Sequence, residues 1–223
     1  MSPWTGKCVK NAGTSTSSRS TTTSRTTTRA TTTSRATTTL GTTTTARPTT
    51  TTTRTTTTTA SGSSATPDAL NKLALDRHNA FRAKHGARPL VYDPVLAKAA
   101  QTWANKCLWR HSQGAVGPYG ENLAATTGYG STIIDGIQGW EAEAPDYNPA
   151  NPTYSHFTQM VWKYVNRDGQ PYATKLGLGC AMARCPNGSI FSPSYGKEII
   201  YVCEYSPPGN AGGPDDYRAN VQP

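Results

Sequence analysis

Four side chains are of the types that could do chemistry together: His111, Glu121, Glu143 and His156. Neutral imidazoles coordinate zinc, and carboxylates complete a metal shell, orient the imidazoles or move protons. His156 stands at the head of a short apolar run, SHFTQMVWK (Ser155 to Lys163), in a chain with only four histidines. There is no HExxH, so the local signature of a zinc protease is missing. A lone histidine is ordinarily a hydrogen-bonded structural residue, so spacing alone leaves a metal site and a structural cluster both open. Other chemistries find less support. No GxSxG is present, and YGSTIIDGIQG lacks the lysine of a phosphate loop and follows no predicted strand. His78 and His85, on one face of a predicted helix, read as packing or surface residues.

The elements that must position these side chains lie in residues 66–223. Thr66-Pro67-Asp68 predicts a helix start, with Thr66 as cap. Leu70, Leu73, Arg77, Phe81 and His85 then carry a helix to about Lys84, ended by Gly86. Asp93-Pro94 opens a second helix to about Lys106, with Val95, Ala99, Trp103 and Leu108 on one face. Ile133, Ile134, Ile137, Trp140 and Ala144 predict a third, stopped by Pro145. After Lys175 the pattern is strand-like: LGLGCAMARC, a turn at Asn187-Gly188, then EIIYVCEY, ended by Pro207-Pro208-Gly209. Helices first and paired strands late predict an α+β layer arrangement.

Residues 1–65 are a different material. From Thr14 to Ser64 the chain is nearly all Thr and Ser, punctuated by arginine. Such a segment has little to bury and is expected to be a disordered stalk carrying O-linked sugar. The stretch through Pro67 holds eight of the 22 Lys and Arg and none of the 13 Asp and Glu, leaving 14 basic against 13 acidic residues in the domain. A domain so nearly neutral argues against nucleic-acid binding, while the basic tail could touch acidic cell-wall polysaccharide. No run of 18 apolar residues exists to span a membrane. MSPWTGKCVK lacks the apolar core of a signal peptide, so a start upstream of Met1 is expected. Cys107, Cys180, Cys185 and Cys203 form an even set without CxxC spacing, which fits disulfides in an oxidising compartment better than a zinc finger; Cys8 is the odd one. Asn187-Gly188-Ser189 is an N-glycosylation sequon in the predicted turn.

HFTQMVW (His156 to Trp162) and YVCEYSPPGN (Tyr201 to Asn210) resemble the two signature motifs of the CAP superfamily of cysteine-rich secretory, antigen 5 and pathogenesis-related class 1 proteins. HNAFRAKHGARPLVYDPVLAKAAQTWA is similar to its opening helices and HS…YGENLA to its central motif, so the resemblance runs in order over about residues 68–212. The Ser/Thr-rich extension resembles secreted fungal members. The resemblance implies a three-layer α–β–α sandwich at 66–223 and the pairings Cys107–Cys185 and Cys180–Cys203. It implies a cavity where His111 and His156 hold zinc or another divalent cation, with Glu121 and Glu143 behind them; the spacing Trp140, Glu143, Tyr147 selects Glu143 over Glu141. It further implies a secreted, extracellular protein that binds a sterol or fatty acid, for lipid export or sterol sequestration, and needs no catalysis. A non-enzymatic cell-wall or host-interaction protein is the alternative, and a metal-dependent hydrolase or protease a second. The loop EAPDYNPANPTYSHF has none of the cysteines of plant-type members and is expected to move aside for a lipid, with Tyr147, Tyr154 and Phe157 supplying apolar faces.

Overall fold

The strand EIIYVCEYS is buried along nearly its whole length, and the other elements pack around it. In the computed structural model, which describes residues 66–128 and 130–223, this strand is β4 (Glu198–Ser206). It lies between β2 (Gly120–Thr127) and β3 (Gly177–Cys185), antiparallel to both, and the short β1 (Val91–Tyr92) adds parallel to β3. Alternate residues of a strand face opposite ways, and β4 uses both faces. Ile199, Tyr201, Cys203 and Tyr205 join the core under α1 (Ala69–Lys84), α3 (Ile133–Glu141) and α4 (His156–Val161). Ile200 and Val202 join a second core under α2 (Pro94–Ala104), with Ala100 and Trp103. Two cores on two faces of one sheet make the three-layer α–β–α sandwich. A short α5 (Pro214–Asn220) closes the first core, Tyr217 packing edge-on to Trp162 at 5.0 Å.

Helix α2 lies close against the sheet because Gly179 has no side chain. A Cβ there would stand 2.0 Å from the backbone nitrogen of Ala97, a contact no side chain can make. Both expected disulfides are formed, Cys107–Cys185 from the end of α2 to the end of β3 and Cys180–Cys203 across paired strands. No helix among the described residues is long and apolar enough to cross a membrane.

The predicted boundaries shift in instructive ways. Asp68, not Thr66, caps α1, its Oδ1 accepting the Asn71 N–H at 2.7 Å. The buried stripe of α1 is Asn71, Ala74, His78 and Arg82, whereas Leu73 is largely exposed. These polar side chains go inward because each finds a partner: Asn71 Oδ1 accepts the Cys180 N–H, His78 Nε2 bonds the Tyr205 hydroxyl, and Arg82 donates to the carbonyls of Arg88 and Met160. In α2, Val95 points to solvent and Leu96 takes the inward place. α3 stops at Glu141, and Pro145 lies in the following 3-10 turn, Ala144–Asp146. Asn187-Gly188 does not join two strands tightly. It opens a longer connection, residues 186–197, held by the buried Glu198 carboxylate, which accepts the N–H groups of Gly188, Ile190 and Phe191. Asn187 is exposed there. The expectations for residues 1–65, including stalk, O-linked sugar and Cys8, lie outside the described residues.

Candidate functional site

The four sequence-selected side chains form two histidine–glutamate pairs. His111 follows the disulfide at Cys107, on a segment that Trp103 holds by donating from Nε1 to the Arg110 carbonyl at 2.9 Å. Its Nδ1 lies 2.6 Å from Glu121 Oε1, which also accepts the Ser112 N–H at 3.0 Å. His156 begins α4, where Ser155 Oγ accepts the Thr158 N–H and Thr158 Oγ1 in turn accepts the Ser155 N–H. The His156 Nδ1 is 2.5 Å from Glu143 Oε1, and Glu143 Oε2 accepts the Phe157 N–H at 3.1 Å. Trp140 stacks over His156 at 6.0 Å between ring centres and anchors α3 to β2 by donating to the Leu123 carbonyl. Asn122, next to Glu121 on β2, donates to the His156 carbonyl at 3.1 Å, so one strand braces both pairs.

Burial works against the charge of Glu121 and Glu143. The bonds from His111 and the Ser112 N–H to Glu121, and from His156 and the Phe157 N–H to Glu143, outweigh it and hold both carboxyls below their ordinary range. A carboxylate at Nδ1 orients an imidazole and directs its other nitrogen elsewhere, which is how metal-binding histidines are commonly held. The donor set for a metal is nevertheless thin. Among the described residues no group of three or more His, Cys, Asp and Glu side chains is gathered to hold an ion. The pairs supply two imidazoles, half a tetrahedral shell, and water would have to complete it.

Sequence reasoning missed Glu204. It sits directly opposite Glu121 in the β2–β4 register and is 1% exposed. Burial first, and Glu121 second, push its carboxyl well above the usual range. Glu121 Oε2 and both Glu204 oxygens meet no N–H or neutral hydroxyl donor, and a proton held on Glu204 and donated to Glu121 satisfies them. The available signal was a charge at an inward position in EIIYVCEY, a strand apolar enough to be buried on both faces.

The three aromatic residues expected to face a lipid divide. Phe157 is fully buried, its ring packed among Phe81, His85 and Tyr147. Tyr147 and Tyr154 are half-buried against that core. The loop lacks a disulfide but is tied down: Arg218 of α5 donates to the carbonyls of Pro149 and Ala150, and Asn210 bonds Ser155 and Thr158. Beside it, a cleft of about 500 Å³ separates α3 from β2. Its walls include the small residues Ala125, Gly139 and Ala142, and its polar groups include Asp135, Glu143 and Tyr201.

The family model of CAP, the cysteine-rich secretory protein family, matches residues 75–205, a span that contains both pairs. This chain belongs to that family. Among CAP relatives, fruiting body protein SC7 of Schizophyllum commune is 39% identical over 160 residues, 67% of this chain and 70% of its own length. Peptidase inhibitor 15 of Gallus gallus is 31% identical over 167 residues, 66% of this chain and 61% of its own. The solved venom allergen-like protein 4 of Schistosoma mansoni aligns over 64% of this chain and 90% of its own, with 20% identity and a TM-score of 0.47. Membership of a secretory family and two formed disulfides agree with an oxidising, extracellular setting.

Proposed function

We propose that this CAP domain binds a lipid, a sterol or a fatty acid, and acts by holding it rather than by catalysis. The observation that carries this reading is the α3–β2 cleft. Its volume, about 500 Å³, falls in the range of small-molecule sites, and its walls of small residues leave room for a hydrocarbon skeleton beside a few polar groups. Tyr147 and Tyr154, on the loop that Glu143 begins, stand outside the cleft lining, half-buried against the first core, and offer apolar faces with a polar tip. Burying about 300 Å² of ligand at ~25 cal/mol per Å² gives a gross gain near 7–8 kcal/mol, enough for micromolar affinity when little ordering is needed. Zinc at His111 and His156 is a separate proposal of modest affinity, lost as pH falls through the imidazole range.

Both are tested on one set of proteins. Radiolabelled sterol and fatty acid should bind wild type saturably and fail to bind Tyr147→Ala/Tyr154→Ala, whose calorimetric zinc binding stays intact. His111→Ala should lose zinc. No saturable binding of either lipid ends the lipid reading, and equal zinc uptake by wild type and His111→Ala ends the metal reading.

A further inference from the structure

Arg82 is a cation buried in the fold with no carboxylate paired to it among the described residues. It lies on the inward stripe of α1, and burial lowers its guanidinium to about 10, which still leaves it charged at neutral pH. Its Nε donates to the Arg88 carbonyl at 2.7 Å and its Nη1 to the Met160 carbonyl at 2.6 Å. The group also stands 5.8 Å from the centre of the Tyr164 ring. Two carbonyls and a ring face offset part of the cost of burying the charge, but none of them is an anion.

A second guanidinium adds to the problem. Arg88, half-buried on the connection from α1 to β1, is near enough to repel Arg82, and donates from Nη2 to the Ala173 carbonyl at 2.9 Å. Arg82 Nη2 and Arg88 Nε are both buried and meet no acceptor. Guanidinium nitrogens are donors only, so each unmet N–H costs free energy and the like charges add to it. A water would accept from them, yet it brings no charge and has hydrogens of its own to place beside carbonyls that Arg82 and Arg88 already engage. A monatomic anion accepts from every side, donates nothing and cancels one of the two charges. Because Arg88 is only half-buried, an ion has a way in.

We propose that Arg82 Nη2 and Arg88 Nε hold a small monovalent anion of the halide class, which ties the end of α1 to the connection that follows it. The test uses the full chain, with sodium chloride as probe and sodium gluconate at equal ionic strength as reference. Both salts screen surface charge alike, so a difference between them reports a bound ion. The wild-type melting temperature should rise with chloride to a plateau and stay lower in gluconate, and the chloride NMR line should broaden in its presence. Arg88→Met keeps a long side chain at a half-buried position and should lose the chloride-dependent rise and most of the excess line width. Lys98→Met, which removes an exposed charge on α2, should keep both. Equal wild-type melting temperatures in the two salts overturn the site, whether or not Arg88→Met folds, and leave water as the partner of the two donors. A chloride response retained by Arg88→Met, or lost equally by Lys98→Met, overturns it as well, because the ion would then be spread over the surface rather than held at this pair.

Discussion

Glu121 and Glu204 occupy directly paired positions on neighbouring strands, where two like charges would repel. The pair is tolerated because Glu204 is protonated and donates to Glu121, leaving one negative charge for His111. This has a pH signature. Glu204 in the folded chain holds its proton above the ordinary carboxyl range, so native protein binds more protons than unfolded chain there, and stability falls as pH rises. Its contribution is fully present below the unfolded value and is lost as pH climbs toward the folded one. Gln presents a similar donor that cannot ionise. Glu204→Gln should therefore match wild type near pH 4 and exceed it in melting temperature from about pH 5 to 8. The margin should widen by roughly 1.4 kcal/mol for each step of one in pH. A margin that stays flat or reverses over that range would mean that Glu204 is ionised in the folded state. The pairs His111–Glu121 and His156–Glu143 were legible through motif resemblance, because loop lengths hide such contacts from spacing. Glu204 was not, because its role depends on which residue the register places opposite.

At the scale of elements, strong periodicity was readable and short elements were not. α1, α2, α3, β3 and β4 all stand where alternation and capping residues place them, give or take a turn. β1 has two residues and α4 six, too few for a period to show. β2 escaped because GENLAATT carries few β-branched or aromatic residues and owes its strand state to pairing with β4. α5 escaped as well, and it ties down the loop before His156. Arg218 reaches the carbonyls of Pro149 and Ala150 while pairing with Asp215 on its own helix. The guanidinium is partly exposed, so the clamp is worth about 1 kcal/mol. Arg218→Ala should speed amide hydrogen exchange across residues 147–155 and leave β4 unchanged. Unchanged exchange in that loop would show that its packing against the core, rather than α5, holds it.

Across the whole molecule the two disulfides do different work. Cys107–Cys185 spans a sequence separation of 78 and Cys180–Cys203 one of 23. On a loop-closure model they restrict the unfolded chain by about 4.5 and about 3.4 kcal/mol respectively. The sheet already holds Cys180 opposite Cys203 through the β3–β4 ladder, so losing that bridge leaves the native geometry in place. Cys107 has no such support. It follows α2 in a left-handed conformation, φ 51°, and its bridge to β3 fixes the segment that leads to His111. Replacing either pair with alanine should lower the melting temperature, Cys107→Ala/Cys185→Ala somewhat more. Only that variant should also loosen His111 from Glu121, seen as a changed imidazole resonance and pH titration, while Cys180→Ala/Cys203→Ala leaves His111 as it was. Equal effects of the two variants on His111 would mean that Trp103 and Ser112, not the disulfide, carry the site. Non-reduced peptide mapping checks the premise, and a Cys180–Cys185 peptide would overturn both pairings.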